Sequence, residues 1–170
     1  MRSWDLAATV ATEESPNPDY SSSVKLGIRA NGRFVIAHAT RDRKLSHDVR
    51  ELVKRIAADD GYDVSITVPE DPGQAGKEQA ASYIAMLRGF KASARRPGTD
   101  KVSRAEPCAS QWQAGNFDVV AGPWNDVLLT ELHAFPDVKS HDDQVDALSD
   151  AFAHLSKPKG GFAMSSWKPQ

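Results

Sequence analysis

Carboxylates stand at three places in the sequence where an acid is unexpected or grouped. Asp5 lies inside the apolar run Ser3–Thr12, Glu70-Asp71 sits between Pro69 and Pro72, and Asp142-Asp143-x-x-Asp146 opens an amphipathic stretch. An ionised carboxylate in a would-be buried strand costs several kcal/mol unless it is paired or liganded, so Asp5 requires a partner. Oxygen donors with no cysteine or paired histidine beside them suit Mg²⁺ or Mn²⁺ better than zinc. Two such ions about 3.5–4 Å apart activate water and stabilise the leaving oxygen of a phosphodiester, which is nuclease chemistry. Each acid also has a plainer reading. Asp5 alone fits a hydrogen-bonded core or edge residue, Glu70 and Asp71 fit turn residues, and acids in a first helical turn are favoured by the macrodipole. On a helical projection Asp142, Asp143, Asp146 and Asp150 fall opposite Val145, Leu148 and Phe152, which predicts a solvated face.

The elements that must position these acids follow from local patterns. Ser3–Thr12, Ser22–Arg29 and Arg33–Thr40 are read as three antiparallel strands, the last two joined at Asn31-Gly32, where both residues tolerate positive φ. Val49, Leu52, Val53, Ile56 and Ala57 form one stripe of a helix ending near Gly61. Val64–Val68 is short and β-rich, as expected of a strand covered on both faces, and prolines halt it just where Glu70-Asp71 begins. Acids at the carboxyl end of a central strand are placed to reach a crevice. A helix over about Gly76–Gly89 and a strand over Phe90–Arg95 come next. Ser103-x-x-Glu106 reads as a capping box opening a helix through Ala114. Phe117–Ala121 is a strand, and Asn125–Ala134 and Asp142–Leu155 are helices. Alternation of this kind predicts an α/β fold whose mixed sheet is antiparallel at one side and parallel beyond, with helices on both faces.

Composition sets the outer bounds. The 170 residues carry 21 Lys plus Arg against 23 Asp plus Glu, a formal net charge of −2, so attraction to a polyanion must come from local clusters or bound metal. One such cluster is Lys91, Arg95, Arg96, Lys101 and Arg104; another is Arg41, Arg43 and Lys44. Cations of this kind contact phosphates with steep salt dependence and little base specificity. The single cysteine, Cys108, forms no internal disulfide, which suits a reducing compartment. No run approaches 18 apolar residues, so neither a membrane span nor an apolar signal core is expected. The expected organisation is one domain over residues 1–155 and a basic tail over 156–170.

Several blocks carry a family resemblance. Trp4-Asp5-Leu6-Ala7-Ala8-Thr9, Pro69 to Lys77 (PEDPGQAGK), Lys101-x-x-Arg104-Ala105-x-Pro107, Gly115-Asn116-Phe117, Trp124-Asn125, Glu131-Leu132-x-x-Phe135-Pro136 and His141 to Ala147 (HDDQVDA) run in order over about Ser3 to Leu155. In type and spacing the chain resembles the C-terminal nuclease domain of the large terminase subunit of tailed bacteriophages or prophages. The resemblance implies an RNase H-like fold and a metal-dependent endonuclease that cuts concatemeric double-stranded viral DNA during genome packaging. By motif, Asp5, Asp71, Asp142 and Asp143 would be catalytic metal ligands for two Mg²⁺ or Mn²⁺ ions. Glu70 is the alternate to Asp71, and Asp146 is a further candidate. Lys77 would lie near the scissile phosphate or orient the second motif, and His141 would bond a ligand carboxylate or a phosphate, or be only a helix N-terminal residue. Arg95, Arg96, Lys101 and Arg104 would contact DNA. Implied partners are double-stranded DNA, the portal and the small terminase subunit, in the cytoplasm of a bacterial host.

Whole large terminases carry an N-terminal ATPase, but Gly73-Gln74-Ala75-Gly76-Lys77 lacks the spacing and the hydroxyl of a phosphate loop. Nucleotide hydrolysis and translocation are therefore not expected of this chain, as for an excised domain or prophage fragment. Two alternatives remain at this point: another RNase H-like nuclease, such as a junction resolvase or an RNA–DNA hybrid hydrolase, and a non-catalytic module that docks on the portal.

Overall fold

A computed structural model gives the fold and describes residues 1–7, 9–96, 98, 100–137 and 140–157. The element order is β1 (Arg2–Asp5), β2 (Ser21–Ile28), β3 (Phe34–Asp42), α1 (Ser46–Asp60), β4 (Ile66–Pro69), α2 (Gln74–Met86), β5 (Ala92–Arg95), α3 (Lys101–Gln113), β6 (Phe117–Val119), α4 (Asn125–Ala134) and α5 (Asp143–Leu155). The order of strands and helices is the one the sequence patterns predict. All but the first two residues of the expected basic tail lie outside the described residues.

Six strands form one sheet in the order β5-β4-β1-β2-β3-β6. β1, β2 and β3 are antiparallel neighbours. β4 pairs with β1, β5 with β4, and β6 with β3, all parallel. The antiparallel trio thus occupies the middle of a mixed sheet, and parallel pairing extends from both of its sides. The expectation of parallel strands at one side only is corrected here: β6 returns to the outer edge of β3.

Both faces of the sheet are covered. α1 and α2 press Val49, Leu52, Val53, Ile56 and Tyr83 onto Trp4, Ile66 and Val68. On the opposite face Leu128, Leu148, Ala151 and Phe152 cover Val24, Leu26, Phe34 and Ile36, with Cys108 among them. Burial pushes the Cys108 thiol up to about 12, so it is an inert core residue. Side chains alternate across a strand, so with Trp4 and Arg2 turned toward α1, Ser3 and Asp5 turn toward α5.

Several boundaries differ from expectation, and two of the differences have a visible cause. β1 stops at Asp5 and does not run to Thr12, because the ladder to β2 ends at the Asp5–Ser22 pair. Beyond it, the Ala7 backbone N–H is taken by the Ser21 hydroxyl at 3.2 Å. α3 begins before the expected box: Asp100 is its N-cap, and its carboxylate accepts the Ser103 N–H at 3.0 Å. That earlier start brings Lys101 and Arg104 into the first turn. Among the described residues no helix is long and apolar enough to cross a membrane.

Candidate active site

Strand direction decides where the acids meet. β1 and β4 are parallel neighbours, so Asp5 at the end of β1 and Asp71 just past the end of β4 emerge on the same rim. β2 runs the other way, so its start, with Asp19 and Tyr20 just before it, lies at that rim too. The end of β3 joins it through the Ser21–Asp42 pair. α5 crosses the sheet over β1 and β2 and directs its first turns toward the same place. Together these elements enclose a cleft of about 710 Å³ lined by Asp5, Asp19, Asp71, Asp143, Asp146 and Asp150, with Lys101 and Arg104 among the other lining residues.

Carboxylates this crowded perturb one another. Burial, then the charges of Asp146 and Asp143, raise the Asp5 carboxyl from 3.8 to about 8, against a smaller opposing pull from Lys101. Burial also raises Asp143 and Asp150. Asp143 is 4% exposed. Its carboxylate accepts the Tyr20 backbone N–H, yet among the described residues its buried Oδ2 has no hydrogen bond and faces His141 Nδ1 at 3.6 Å. Asp19, His141 and Asp143 each offer one ligand atom, all within 4.8 Å of one another. A buried acceptor without a donor costs about 1–3 kcal/mol. An orphaned oxygen beside other hard donors is what a divalent cation relieves, so these residues fit a metal of the Mg²⁺ or Mn²⁺ type.

The cations of the sequence cluster are drawn into this acidic centre. Lys101 Nζ lies 2.8 Å from Asp142 and 3.2 Å from Asp146. Burial alone would lower its ammonium pKa, but the Asp142 and Asp146 carboxylates hold it above the ordinary lysine value. Arg104 pairs with Asp146, Arg95 with Asp150 at 3.3 Å, and exposed Arg96 with Glu70. Lys91 pairs instead with Asp63, outside the cleft.

Each predicted site residue can now be placed. Asp5, Asp71, Asp143 and Asp146 line the cleft together. Glu70 and Asp142 are absent from that lining, Glu70 being held by Arg96 and Asp142 by Lys101. Lys77 is exposed on α2 and does not reach the cleft. His141 Nδ1 faces Asp143, and its Nε2 lies 2.9 Å from Asn17 Oδ1 and 3.1 Å from Arg43 Nη2. Arg41 and Arg43 both stack on the Tyr20 ring at 3.9 Å, and Lys44 pairs with Asp42. The expectation of a solvated acidic face on α5 is overturned, since Asp143 and Asp150 are 4% and 8% exposed. That face is turned into the cleft, while Leu148 and Phe152 meet the sheet.

Three participants were missed. Asp150 continues the Asp143, Asp146 spacing by one more turn, a signal present in the projection but assigned to solvent. Asp19 sits in a proline-flanked loop with no local signal. Glu131, buried at 4% exposure beneath the start of α5, stands in sequence within one of the resemblance blocks but carries no assigned role there. A larger hollow of about 880 Å³ between α3, α4 and α5 has a mostly apolar lining and contains no carboxylate.

Gly76 explains why the second acidic motif ends in Gly-x-x-Gly. A Cβ built at Gly76 would lie 2.2 Å from the Asp71 carbonyl oxygen, so only glycine lets α2 pack this close to Asp71. Gly76→Ala is expected to displace the Asp71 backbone, lowering stability by about 1–3 kcal/mol and weakening Mn²⁺ binding. Urea unfolding combined with a Mn²⁺ titration checks this; unchanged values in both would show that the loop yields freely.

The sheet order, the helices on both faces and the acids at the ends of adjacent central strands define an RNase H-like nuclease fold. The family described as Terminase RNaseH-like domain matches residues 2–155, and the chain belongs to that family. Among solved structures the fold is similar to one described as "Human cytomegalovirus terminase nuclease domain, Mn soaked, inhibitor bound". The likeness has a TM-score of 0.66 at 13% identity and covers 92% of this chain and 82% of that one. No curated protein matches the chain.

Proposed function

We propose that the chain is a divalent-metal-dependent endodeoxyribonuclease that cuts concatemeric double-stranded viral DNA during genome packaging, by two-metal phosphodiester hydrolysis. The observation that carries this reading is the convergence of Asp5, Asp71, Asp143 and Asp146 on one cleft in a member of the terminase RNase H-like family. The manganese soak of the similar cytomegalovirus domain agrees with it. Mg²⁺ or Mn²⁺ ions held there supply Lewis-acid activation of water and neutralise charge on the phosphate.

The chain's own residues prepare the site for that chemistry. Asp5, from the centre of the sheet, lines the cleft with Asp146 and Asp143 and would be a metal ligand there. Asp71, Asp143 and Asp146 would hold the ions with it, and Asp150 and Asp19 line the same cleft. Asp142 has a different task from the one its motif suggests: it holds Lys101. Arg95, Arg96, Lys101 and Arg104 neutralise the carboxylates until cations and DNA arrive, and then exchange onto phosphates. His141 steadies the Asp143 carboxylate from its buried side. In a phage or prophage setting the domain acts in the bacterial cytoplasm with portal, small subunit and an ATPase supplied by other segments.

Supercoiled plasmid incubated with Mn²⁺, Mg²⁺ or chelator tests the proposal. Nicking and linearisation are expected with either metal, none with chelator, and a loss of at least about a hundredfold in Asp71→Asn and Asp143→Asn, from roughly 2.7 kcal/mol of lost transition-state stabilisation. Cleavage that persists in chelator or in both variants would reject it. Preference for a four-way junction or an RNA–DNA hybrid over duplex would move the substrate to another RNase H-like class.

A further inference from the structure

Glu131 is a buried carboxylate on α4 that the proposed reaction does not use. Its Oε1 accepts the Gln144 backbone N–H at 2.5 Å, and its Oε2 accepts the Gln144 side-chain amide at 2.8 Å. Arg41 Nε stands 3.3 Å from Oε2. Gln144 is 1% exposed and directly follows Asp143 in the chain.

The first backbone N–H groups of a helix have no partner within it and need an outside acceptor. In α5 the ordinary source fails: Asp142 is the N-cap residue, but its side chain makes no cap hydrogen bond, being held by Lys101. The acceptor comes instead from the neighbouring helix, through Glu131. A carboxylate at a helix N-terminus is also favoured by the helix dipole. On the other flank the Tyr20 backbone N–H donates to the Asp143 carboxylate, and Arg41 spans the two supports, lying over the Tyr20 ring as well as against Glu131. Asp143 is flanked by a backbone anchor one residue later and by the Tyr20 backbone N–H at its own carboxylate.

We propose that Glu131 is a positioning residue: it caps α5 from α4 and thereby fixes Asp143 where the cleft's cations bind. The role rests on the metal-site reading above. A hydrogen bond one residue from a ligand acts as second-layer support does in metalloproteins, where its loss weakens metal affinity roughly 10–100-fold.

The test measures Mn²⁺ affinity by calorimetry, duplex DNA affinity by anisotropy in chelator, and hydrogen exchange at the Gln144 amide, in wild type, Glu131→Ala and Glu131→Gln. Ala is expected to weaken Mn²⁺ binding roughly 10–100-fold, speed Gln144 exchange and leave DNA affinity unchanged. Gln keeps an acceptor for the Gln144 N–H and is expected to restore most of the Mn²⁺ affinity, a rescue that a merely structural role for the charge would not produce. Wild-type Mn²⁺ affinity in Ala, or a loss in Gln as large as in Ala, overturns the assignment. Should Ala not fold, Glu131→Asp retains the charge but withdraws the oxygens from Gln144; wild-type affinity there overturns it equally. Absence of Mn²⁺ binding by wild type defeats the metal-site reading and this role together, whereas normal binding by wild type and Ala alike defeats this role alone.

Discussion

Asp5→Asn is expected to abolish DNA cleavage while making the metal-free protein more heat-stable at pH 8. The carboxyl titrates near 3.8 when unfolded and near 8 in the folded cleft, where burial and the charges of Asp146 and Asp143 oppose its ionisation. Between those values the folded state keeps a proton that the unfolded chain has released. Stability is therefore fully present below pH 3.8 and lost as pH rises through about 8, at a limiting slope of about 1.4 kcal/mol per pH unit. Asparagine has nearly the same shape and no charge, so it removes that slope. It also removes a carboxylate that would hold the cations. Losing about 4 kcal/mol of transition-state stabilisation corresponds to roughly a thousandfold in rate.

Thermal unfolding of wild type and Asp5→Asn from pH 5 to 8, with chelator or Mn²⁺, separates the two effects. In chelator the wild-type midpoint should fall with pH and the variant should be flatter. With Mn²⁺ the wild type should regain stability most strongly at high pH, because ion binding requires the deprotonated carboxylates. A wild-type pH slope that survives the substitution would show that the repulsion lies elsewhere. Retained Mn²⁺-dependent nicking would remove Asp5 from the catalytic set.

The largest stability effect is expected away from the cleft, at Asp60. Its carboxylate receives Arg2 Nε at 2.5 Å and Lys25 Nζ at 2.9 Å, with the Arg2 and Asp60 side chains 2% and 7% exposed. The same guanidinium donates to Ser23 Oγ at 2.8 Å and lies 3.1 Å from His38 Nδ1. Burial alone would raise the Asp60 pKa, but the hydrogen bonds and charges of Arg2 and Lys25 hold it below 3.8. Its contribution is thus present above pH 3.8 and lost in more acid solution, as pH falls through the depressed folded value. Asp60→Ala leaves a desolvated guanidinium without its counter-charge and should cost about 3–5 kcal/mol, a large share of the roughly 5–15 kcal/mol that holds a domain together. Denaturant unfolding at pH 7 measures it. Replacing both partners, as Arg2→Met with Asp60→Leu, should recover most of the loss. A single-variant loss below about 1 kcal/mol would place the pair in the class of weak surface ion pairs.

Much of the architecture was legible without coordinates, because its signals are local. The α4 limits Asn125–Ala134, the Asn31-Gly32 connection and the α1 stripe through Val49, Leu52, Val53 and Ile56 follow from helical periodicity and turn chemistry. So does the position of Glu70-Asp71 at the end of a strand, which prolines mark, whereas Asp5 reads as lying inside a longer strand and its pairing beside β4 comes only from the fold. The sequence by itself determined which acids the chain carries, at which ends of which elements, and the order in which those elements come. Only the tertiary structure decided which acids face one another. Asp142, the N-cap outside the helix proper, is held by Lys101, and the packing of Leu148 and Phe152 on the sheet sets the rotation of α5 that turns Asp143, Asp146 and Asp150 into the cleft. In the same way β5 and the segment after it brought Arg96 onto Glu70, α3 brought Lys101 onto Asp142, and α4 carried Glu131 to the start of α5. These pairings join residues far apart in the chain, and local patterning carries no information about such contacts, because they arise only when both faces of the sheet are covered.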